Sequence, residues 1–252
     1  VTVDCIGNVP AMTNLGYTDN CDAPGNVPGV DAALVGGNCG GTITRTWTYT
    51  DACGNVGTAQ QIITVDDNVA PVLTAAPANV NVECATDVPA MINLNWTDNR
   101  DGADNVMGVD VSDGNTCPET ITRTYSITDP CLNQILVTQT ITVDDTQNPV
   151  LAAAPANITV DCGAIPPAVN LNWTDNCDGA GSVAPVDGPL TGGSCGGTIT
   201  RTWTYTDACG NVATTNQIIT VNDNVNPIFA APPANVTVDC IGNVPAMTNL
   251  GY

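Results

Sequence analysis

Residues 41–55 read GTITRTWTYTDACGN, and their side chains alternate strictly between two kinds. One set is all threonine: Thr42, Thr44, Thr46, Thr48 and Thr50. The set between them is larger: Ile43, Arg45, Trp47 and Tyr49. A period of two in β-branched and aromatic residues predicts a β-strand that turns one face to a core. The closing DACGN has turn composition, so a second strand is expected to follow.

The stretch returns in altered form as residues 119–133 and unchanged as residues 197–211. NLNWTD (93–98), QQIITVDDN (60–68) and NQIITVNDN (216–224) also alternate, and Asp-, Asn-, Gly- and Pro-rich turns separate them. No segment keeps a helical period of 3.6 residues. The sequence therefore predicts an all-β protein of tandem immunoglobulin-like β-sandwiches, each with about seven short strands.

Internal repetition divides the chain. Pro71, Pro149 and Pro227 open the similar segments PVLTAAPANVNVEC, PVLAAAPANITVDC and PIFAAPPANVTVDC, 78 residues apart. Residues 236–252 are identical to residues 1–17, so three repeats form a larger unit of 235 residues. We predict repeats at 1–69 (lacking its first strand), 70–148 and 149–226, with 227–252 beginning another repeat.

Two arrangements explain the return of the first sequence after three repeats. The chain is either one period of a continuous tandem array, or copies join when one donates a strand to the next. Strand donation supplies the 227–235 segment ahead of Val1, but it leaves residues 236–252 without a site of their own. The tandem array is preferred on that ground.

Composition excludes several classes of function. The net charge is −21, with 25 acidic residues, four arginines and no histidine. Nucleic acid and anionic membranes need cationic patches, so neither is an expected partner, whereas cations are. No apolar run is long enough to span a membrane. Without His or Lys the usual general bases and amine nucleophiles are missing, and we expect no enzymatic activity.

Three kinds of segment carry a family resemblance: the PAN(V/I)TVDC openings, the TDNCD loops and the TRTWTYTDACGN…ITV(D/N)DN closing stretches. They resemble hyalin-repeat (HYR) domains, which are immunoglobulin-like modules, and most of all those in giant bacterial surface proteins. The resemblance covers nearly all of every repeat. It implies a secreted or cell-surface β-sandwich used as an adhesive or spacer module, without catalysis.

The twelve cysteines predict a disulfide framework and an oxidising, extracellular setting. In an immunoglobulin-like sandwich, the loops that carry TDNCD and DACGN share one end, which predicts the pairs Cys21–Cys53 and Cys177–Cys209. The end of the first strand and the start of the penultimate strand share the opposite end, so the cysteines there are predicted to pair as Cys5–Cys39, Cys84–Cys117 and Cys162–Cys195. In the middle repeat Arg100 replaces a cysteine, so Cys131 is predicted to be a free thiol or an inter-chain bridge.

The repeats close with VDDNVAP (65–71), VDDTQNP (143–149) and VNDNVNP (221–227), which resemble the calcium-binding linkers of cadherins. Asp and Asn also form turns, which is the alternative explanation. Clustered carboxylates suit calcium, and we predict that it locks neighbouring domains. The predicted ligands face each other in two groups: Asp66 and Asp67 with Asp98, Asp101 and Asp129; Asp144 and Asp145 with Asp175, Asp178 and Asp207. Asp223 holds the same position in the third closing segment.

Function is then a choice among three classes. The leading interpretation is a repetitive extracellular filament or adhesin stalk, whose partners are further copies of the repeat, end to end and laterally in a fibre. The alternative is a module that binds glycan, ice or another surface through its threonine face or loops. The third is a spacer region of a secreted hydrolase.

Overall fold

The computed structural model describes residues 1–37, 39–193, 196–247 and 249. It is an all-β protein of tandem β-sandwiches, with only three short 3₁₀ helices among the described residues, at Ile6–Asn8, Ala85–Asp87 and Ile241–Asn243. The chain forms two compact units, Val1–Asp145 and Thr146–Tyr252. The first unit holds repeats 1 and 2, and the second holds repeat 3 and the segment that follows it.

Repeat 1 has two sheets. Its strands are β1 (Thr2–Val3), β2 (Leu15–Tyr17), β3 (Gly25–Val27), β4 (Gly29–Asp31), β5 (Cys39–Thr50) and β6 (Val56–Asp66). One sheet has the order β1-β6-β5-β4, and β2 pairs with β3 in the other. Strands β5 and β6 form the longest ladder of repeat 1, because they flank one tight turn and stay in register from Gly41 to Thr50.

Repeat 2 keeps this plan and adds a first strand. Its strands are β7 (Val72–Leu73), β8 (Val80–Val82), β9 (Asn93–Asp98), β10 (Gly102–Met107), β11 (Val109–Ser112), β12 (Glu119–Thr128) and β13 (Gln134–Val143). The sheets have the orders β11-β12-β13-β8 and β10-β9-β7. The added strand, β7, lies antiparallel to β9 at the edge of the smaller sheet.

Repeat 3 is the counterpart of repeat 2 in the second unit. Its strands are β14 (Val150–Leu151), β15 (Ile158–Asp161), β16 (Leu171–Asp175), β17 (Gly179–Val183), β18 (Val186–Asp187), β19 (Gly196–Thr206) and β20 (Val212–Asn222). The sheets have the orders β15-β20-β19-β18 and β14-β16-β17. Repeats 2 and 3 thus have the seven strands expected for each sandwich.

The predicted alternation of β5 is confirmed by burial. Ile43, Arg45 and Trp47 are buried, while the threonines between them are half-buried or exposed. The apolar core is small: Ile43, Ile63 and Val65 in repeat 1, and Ile199, Ile219 and Val221 in repeat 3. Cores of this size leave a domain dependent on further ties such as disulfides.

The buried arginines provide one such tie. Arg45, on the inner face of β5, makes a bidentate ion pair with Asp31, its direct neighbour on β4. Nη2 of Arg45 also donates to the carbonyl of Pro10, and Nη1 donates to the carbonyl of Ala11. The arginine therefore supplies hydrogen bonds to the backbone carbonyls of Pro10 and Ala11, which lie outside the strands. Arg123 with Asp110 and Arg201 with Asp187 form the same pairs.

In the described part of the chain, no helix has the length and apolar character needed to cross a membrane.

Candidate functional site

Repeats 1 and 2 meet inside the first unit at a polar cluster that we call the junction. Its residues are Cys39, Asp67, Asp98, Arg100, Asp101, Cys131 and Asn133. Asp67 follows the last residue of β6, so the end of repeat 1 brings it to the loops of repeat 2. Its backbone carbonyl accepts a hydrogen bond from the Asn133 side chain at 2.9 Å.

Three carboxylates from both repeats converge at the junction. One oxygen each from Asp67, Asp98 and Asp101 lies within 4.8 Å of the other two. Asp67 is only 2% exposed. Asp98 ends β9, where its Oδ1 accepts the backbone N–H groups of Arg100 and Asp101. This turn points the Asp98 and Asp101 carboxylates the same way, toward Asp67.

The electrostatics of this trio favour a cation. Oδ2 of Asp67 and Oδ2 of Asp98 are buried and have no hydrogen-bond partner. A buried carboxylate oxygen without a donor or cation is costly. Burial raises the pKa of Asp101; the nearby guanidinium of Arg100 opposes that shift, whereas the negative charges of Asp98, Asp129 and Asp67 add to it.

Arg100 stands at the edge of the trio. Its Nη1 lies 3.7 Å from Oδ2 of Asp67 and donates to the sulfur of Cys131 at 2.8 Å. A weaker contact of 3.8 Å reaches the sulfur of Cys39. The guanidinium thus neutralises part of the carboxylate charge without giving Asp67 a full hydrogen bond.

The junction is also covalent, and here the structure differs from the predicted pairing. Cys39 is bonded to Cys131, with Cα atoms 5.3 Å apart. Cys39 begins β5 opposite Asp66, at the end of repeat 1 that meets the Cys131 loop, so its sulfur reaches across the junction rather than to Cys5. The prediction that Cys131 is unpaired or forms an inter-chain bridge is therefore wrong.

The other cysteines divide into two groups. Cys84, Cys117, Cys177 and Cys209 are each disulfide-bonded. Cys5, Cys21, Cys53, Cys162 and Cys240 are free thiols. The predicted Cys21–Cys53 bridge is thus open, and the structure gives no reason for it, because the turns of Cys177 and Cys209 are built in the same way. Cys195, the predicted partner of Cys162, lies outside the described residues.

A family model for the HYR-like domain with 4 cysteines matches residues 1–65 and 150–221, more than half of the chain. The chain belongs to the HYR-like family. The two matched stretches lie in repeats 1 and 3, each of which has four cysteine positions, whereas repeat 2 has three because Arg100 replaces one. HYR-like domains with several disulfides support an extracellular or surface protein that serves as an adhesion-type module.

The other comparisons add little. No curated protein matches the chain. Among solved structures, it is similar to the M60 catalytic domain with the CBM51-1 and CBM51-2 domains from Clostridium perfringens ZmpB, at 11% identity and a TM-score of 0.23. The match covers 90% of this chain and 33% of that structure. At this level the likeness carries no functional argument.

Of the remaining predicted ligands in the HYR-like repeats, several serve in turns. Both carboxylate oxygens of Asp129 accept hydrogen bonds, from the backbone of Cys131 and from the backbone and side chain of Asn133. Burial alone raises the pKa of Asp129, but these hydrogen bonds and the charge of Arg100 lower it overall. Asp207 binds its own loop in the same way. Asp66 contacts Asn68 instead of the trio.

The second predicted group combines residues of the two units and stays a prediction. Asp175 accepts the backbone N–H groups of Cys177 and Asp178 through Oδ1, and its Oδ2 is buried without a partner, as in Asp98. Asp145 is buried and Asp144 is half-buried. Asp223 accepts the N–H of Val225 and is exposed.

One determinant of the site was missed by sequence reasoning. In repeats 1 and 3, the carboxylates of Asp22 and Asp178 accept a hydrogen bond from the hydroxyls of Tyr49 and Tyr205. Asp101 holds the same position in repeat 2, but there the tyrosine is replaced by Ile127. Because isoleucine has no hydroxyl to offer, Asp101 is available to the trio. Comparing the three repeats position by position gives this signal.

Proposed function

We propose that this chain is a non-catalytic, structural part of an extracellular filament or adhesin stalk, stiffened by disulfides and by calcium at the junction. The observation that carries the proposal is the convergence of Asp67 of repeat 1 with Asp98 and Asp101 of repeat 2. An ion bound by ligands from two successive repeats would add a further link beside the Cys39–Cys131 disulfide and would stiffen the joint between the repeats.

The charge balance supports a divalent cation. Three carboxylates and the guanidinium of Arg100 leave about two negative charges at the junction. Oδ2 of Asp98 would gain an ionic partner, and Oδ2 of Asp67 would gain one closer than the guanidinium of Arg100 at 3.7 Å. Desolvated carboxylates of like charge repel one another strongly unless a cation lies between them.

The donor chemistry supports calcium over other ions. The trio offers only hard oxygen donors, which calcium prefers in sets of six to eight. Asp101 is exposed, so water can complete the coordination shell from that side. The disulfide already uses the two sulfurs at the junction, Cys39 and Cys131, and so offers no thiolate to a softer metal.

Calorimetry with the full chain tests the calcium proposal. Calcium added to chelator-treated protein is expected to bind and to raise the unfolding temperature; at a hundred times the Kd the gain is about 2.7 kcal/mol. Asp101→Asn removes the charge of one ligand and should abolish the effect. Asp104→Asn, an exposed aspartate on β10, is the matched control and should keep it. Equal binding by both variants would contradict the site.

A second candidate function is surface or glycan binding. Cross-strand threonine pairs occur on the outer face of all three hairpins, for example Thr48 with Thr58 and Thr204 with Thr214, whose hydroxyls are 3.2 Å apart in the second pair. Paired hydroxyls and methyl groups form a regular surface that suits a polysaccharide. Screening of the chain on immobilised glycans, with Thr48→Lys as the disrupted variant, tests this role.

A further inference from the structure

The Cys39–Cys131 bridge has two unequal ends. Cys39 is exposed at the start of β5, whereas Cys131 is half-buried in the turn between β12 and β13. A disulfide opens when a thiolate attacks one of its sulfurs and the other sulfur leaves as a thiolate. A thiol that arrives from solvent meets Cys39 first. Access therefore favours Cys39 as the sulfur that is attacked and Cys131 as the sulfur that leaves.

The positive charge of Arg100 lies at the leaving end of the bridge. Its Nη1 is 2.8 Å from the sulfur of Cys131 and 3.8 Å from the sulfur of Cys39. A guanidinium that donates to a departing sulfur stabilises the negative charge that develops there, and a more stable thiolate leaves faster. The distance of 3.7 Å between Nη1 and Asp67 is too long for a hydrogen bond, so this carboxylate does not displace the sulfur as acceptor.

Backbone hydrogen bonds hold the leaving sulfur and the guanidinium side by side. Asp129 accepts the N–H of Cys131 at 2.8 Å and also binds Asn133, which fixes the turn. Asp98 accepts the N–H of Arg100 at 2.8 Å. None of these bonds involves the S–S bond, so they can persist after it breaks. The charge that receives the thiolate is therefore in place before the reaction begins.

Repeat 2 differs from its neighbours at this position. Arg100 occupies the place that Cys21 and Cys177 hold in repeats 1 and 3. The other three arginines of the chain form bidentate pairs with aspartates on inner sheet faces; they are Arg45, Arg123 and Arg201. The substitution in repeat 2 thus replaces a sulfur by a permanent positive charge next to a disulfide.

The surrounding charge selects the kind of thiol. Asp67, Asp98 and Asp101 converge next to Arg100, and the whole chain has a net charge of −21. Negative charge around the bridge repels an attacking thiolate, and repels it more when the molecule carries a carboxylate as well. A protonated amine on the same small molecule offsets the thiolate charge during approach. An aminothiol is therefore favoured over an acidic thiol.

We propose that the Cys39–Cys131 bridge is a thiol-exchange site for small aminothiols. The aminothiol thiolate bonds to the sulfur of Cys39, the Cys39–Cys131 bond breaks, and its electron pair leaves on the sulfur of Cys131 beside Arg100. The products are a mixed disulfide at Cys39 and a thiolate at Cys131. A second aminothiol thiolate attacks the mixed disulfide, which frees the sulfur of Cys39 and releases the aminothiol disulfide.

Exchange removes the covalent link between repeats 1 and 2 and leaves the polar contacts of the junction. It would therefore soften the joint between these repeats. This effect on stiffness rests on the proposed stalk function, whereas the reaction itself does not. The reaction also needs no calcium, so it is measured in the presence of a chelator, where the calcium proposal has no influence on the result.

Cysteamine and the intact chain test the proposal. Free thiols are blocked with N-ethylmaleimide, cysteamine is added briefly, and newly released thiols are trapped with iodoacetamide. Mass spectrometry of peptides should find cysteamine on Cys39 and the iodoacetamide label on Cys131. Label should appear later on the other bonded cysteines, Cys84, Cys117, Cys177 and Cys209. Cysteamine should react about 5-fold faster than 3-mercaptopropionate at equal thiolate concentration. Cysteamine on Cys131, earlier label on the other bonded cysteines, or equal rates for the two thiols would overturn the proposal.

Two variants of Arg100 separate its leaving-group role from a general charge effect. Arg100→Ala should slow cysteamine exchange about 3- to 10-fold and move part of the adduct to Cys131, because the thiolate of Cys131 is no longer stabilised. Arg100→Lys keeps a positive donor and should keep the adduct on Cys39. Asp104→Asn also changes the net charge by one, on exposed β10, and should leave the adduct position unchanged. An alanine variant that matches the parent in both rate and adduct position would refute the role of Arg100.

Discussion

Cys39 of repeat 1 and Cys131 of repeat 2 share a disulfide across 92 residues of sequence, beside the guanidinium of Arg100. The bond ties the first strand residue of one hairpin to the turn of the next repeat's hairpin. Two successive sandwiches are thus linked by a covalent bond and a carboxylate cluster within one compact unit. Each link joins residues of repeat 1 to residues of repeat 2.

Cys39→Ser should lower the stability of the first unit. Closing a long loop with a disulfide contributes about 2–4 kcal/mol, because it restricts the unfolded chain. The measurement is thermal unfolding, with Cys53→Ser, an exposed free thiol, as the control that should change little. Peptide mapping of the unreduced protein should yield a Cys39–Cys131 fragment. A Cys5–Cys39 fragment in its place would refute this pairing.

Arg100→Ala should strengthen calcium binding about 5- to 10-fold. The substitution removes a positive charge 3.7 Å from Asp67, and that charge repels any cation held by the trio. Arg100→Lys retains the charge and should leave the affinity near that of the parent. Titration calorimetry at low salt measures both. Weaker binding in the alanine variant would mean that Arg100 supports the site instead of opposing the ion.

Ile127→Tyr should weaken calcium binding. The new hydroxyl would occupy the place of Tyr49 and Tyr205 and bind the Asp101 carboxylate, as those residues bind Asp22 and Asp178. Asp101 would then be drawn away from the trio. Ile127→Phe adds a ring of similar size without a hydroxyl and serves as the control. If both variants lose calcium equally, bulk at position 127 is the cause, and the role assigned to the isoleucine is wrong.

The arginine–aspartate pairs should make stability fall in acid. Hydrogen bonds from Arg123 lower the pKa of Asp110, and the same holds for Asp31 with Arg45 and Asp187 with Arg201. A carboxylate with a lowered folded pKa contributes its stability above the ordinary Asp value, and the contribution is lost as pH falls through the folded pKa. Urea midpoints between pH 7 and pH 2 should therefore decline.

Asp110→Asn isolates one of these pairs. It keeps the shape of the side chain but cannot ionise, so it should lower stability at pH 7 and flatten the decline below pH 4. The amide also loses the bidentate geometry that holds Arg123 on the inner face. Asp113→Asn, in the exposed turn after β11, is the comparison at a carboxylate whose pKa is lowered by its own loop. An unchanged acid profile for Asp110→Asn would show that the pair does not control it.

Much of the fold could be read from the sequence, because the determining signals are local. The alternation of Ile43, Arg45 and Trp47 with threonine fixes which face of β5 is buried, since side chains along a strand point to opposite sides. The 78-residue period fixes the repeated sandwich.

The sequence predicted the region of the candidate site but not which of its carboxylates converge. Asp67, Asp98 and Asp101 were among the expected ligands, but so were Asp129 and Asp207, whose oxygens are used by their own turns. Sequence patterns place all of these carboxylates in loops but do not indicate which way each side chain points. Which carboxylates converge depends on hydrogen bonds that form only when the loop is folded.

The sequence by itself determined the all-β class, the repeat length, the acidic surface and the membership in the HYR-like family, since each depends on residue types at fixed spacing along the chain. The tertiary structure decided which sulfur Cys39 meets and which three carboxylates converge. These depend on distances between residues far apart in sequence. Such distances are set by how the sandwiches pack, because packing brings together side chains that the chain itself keeps separate.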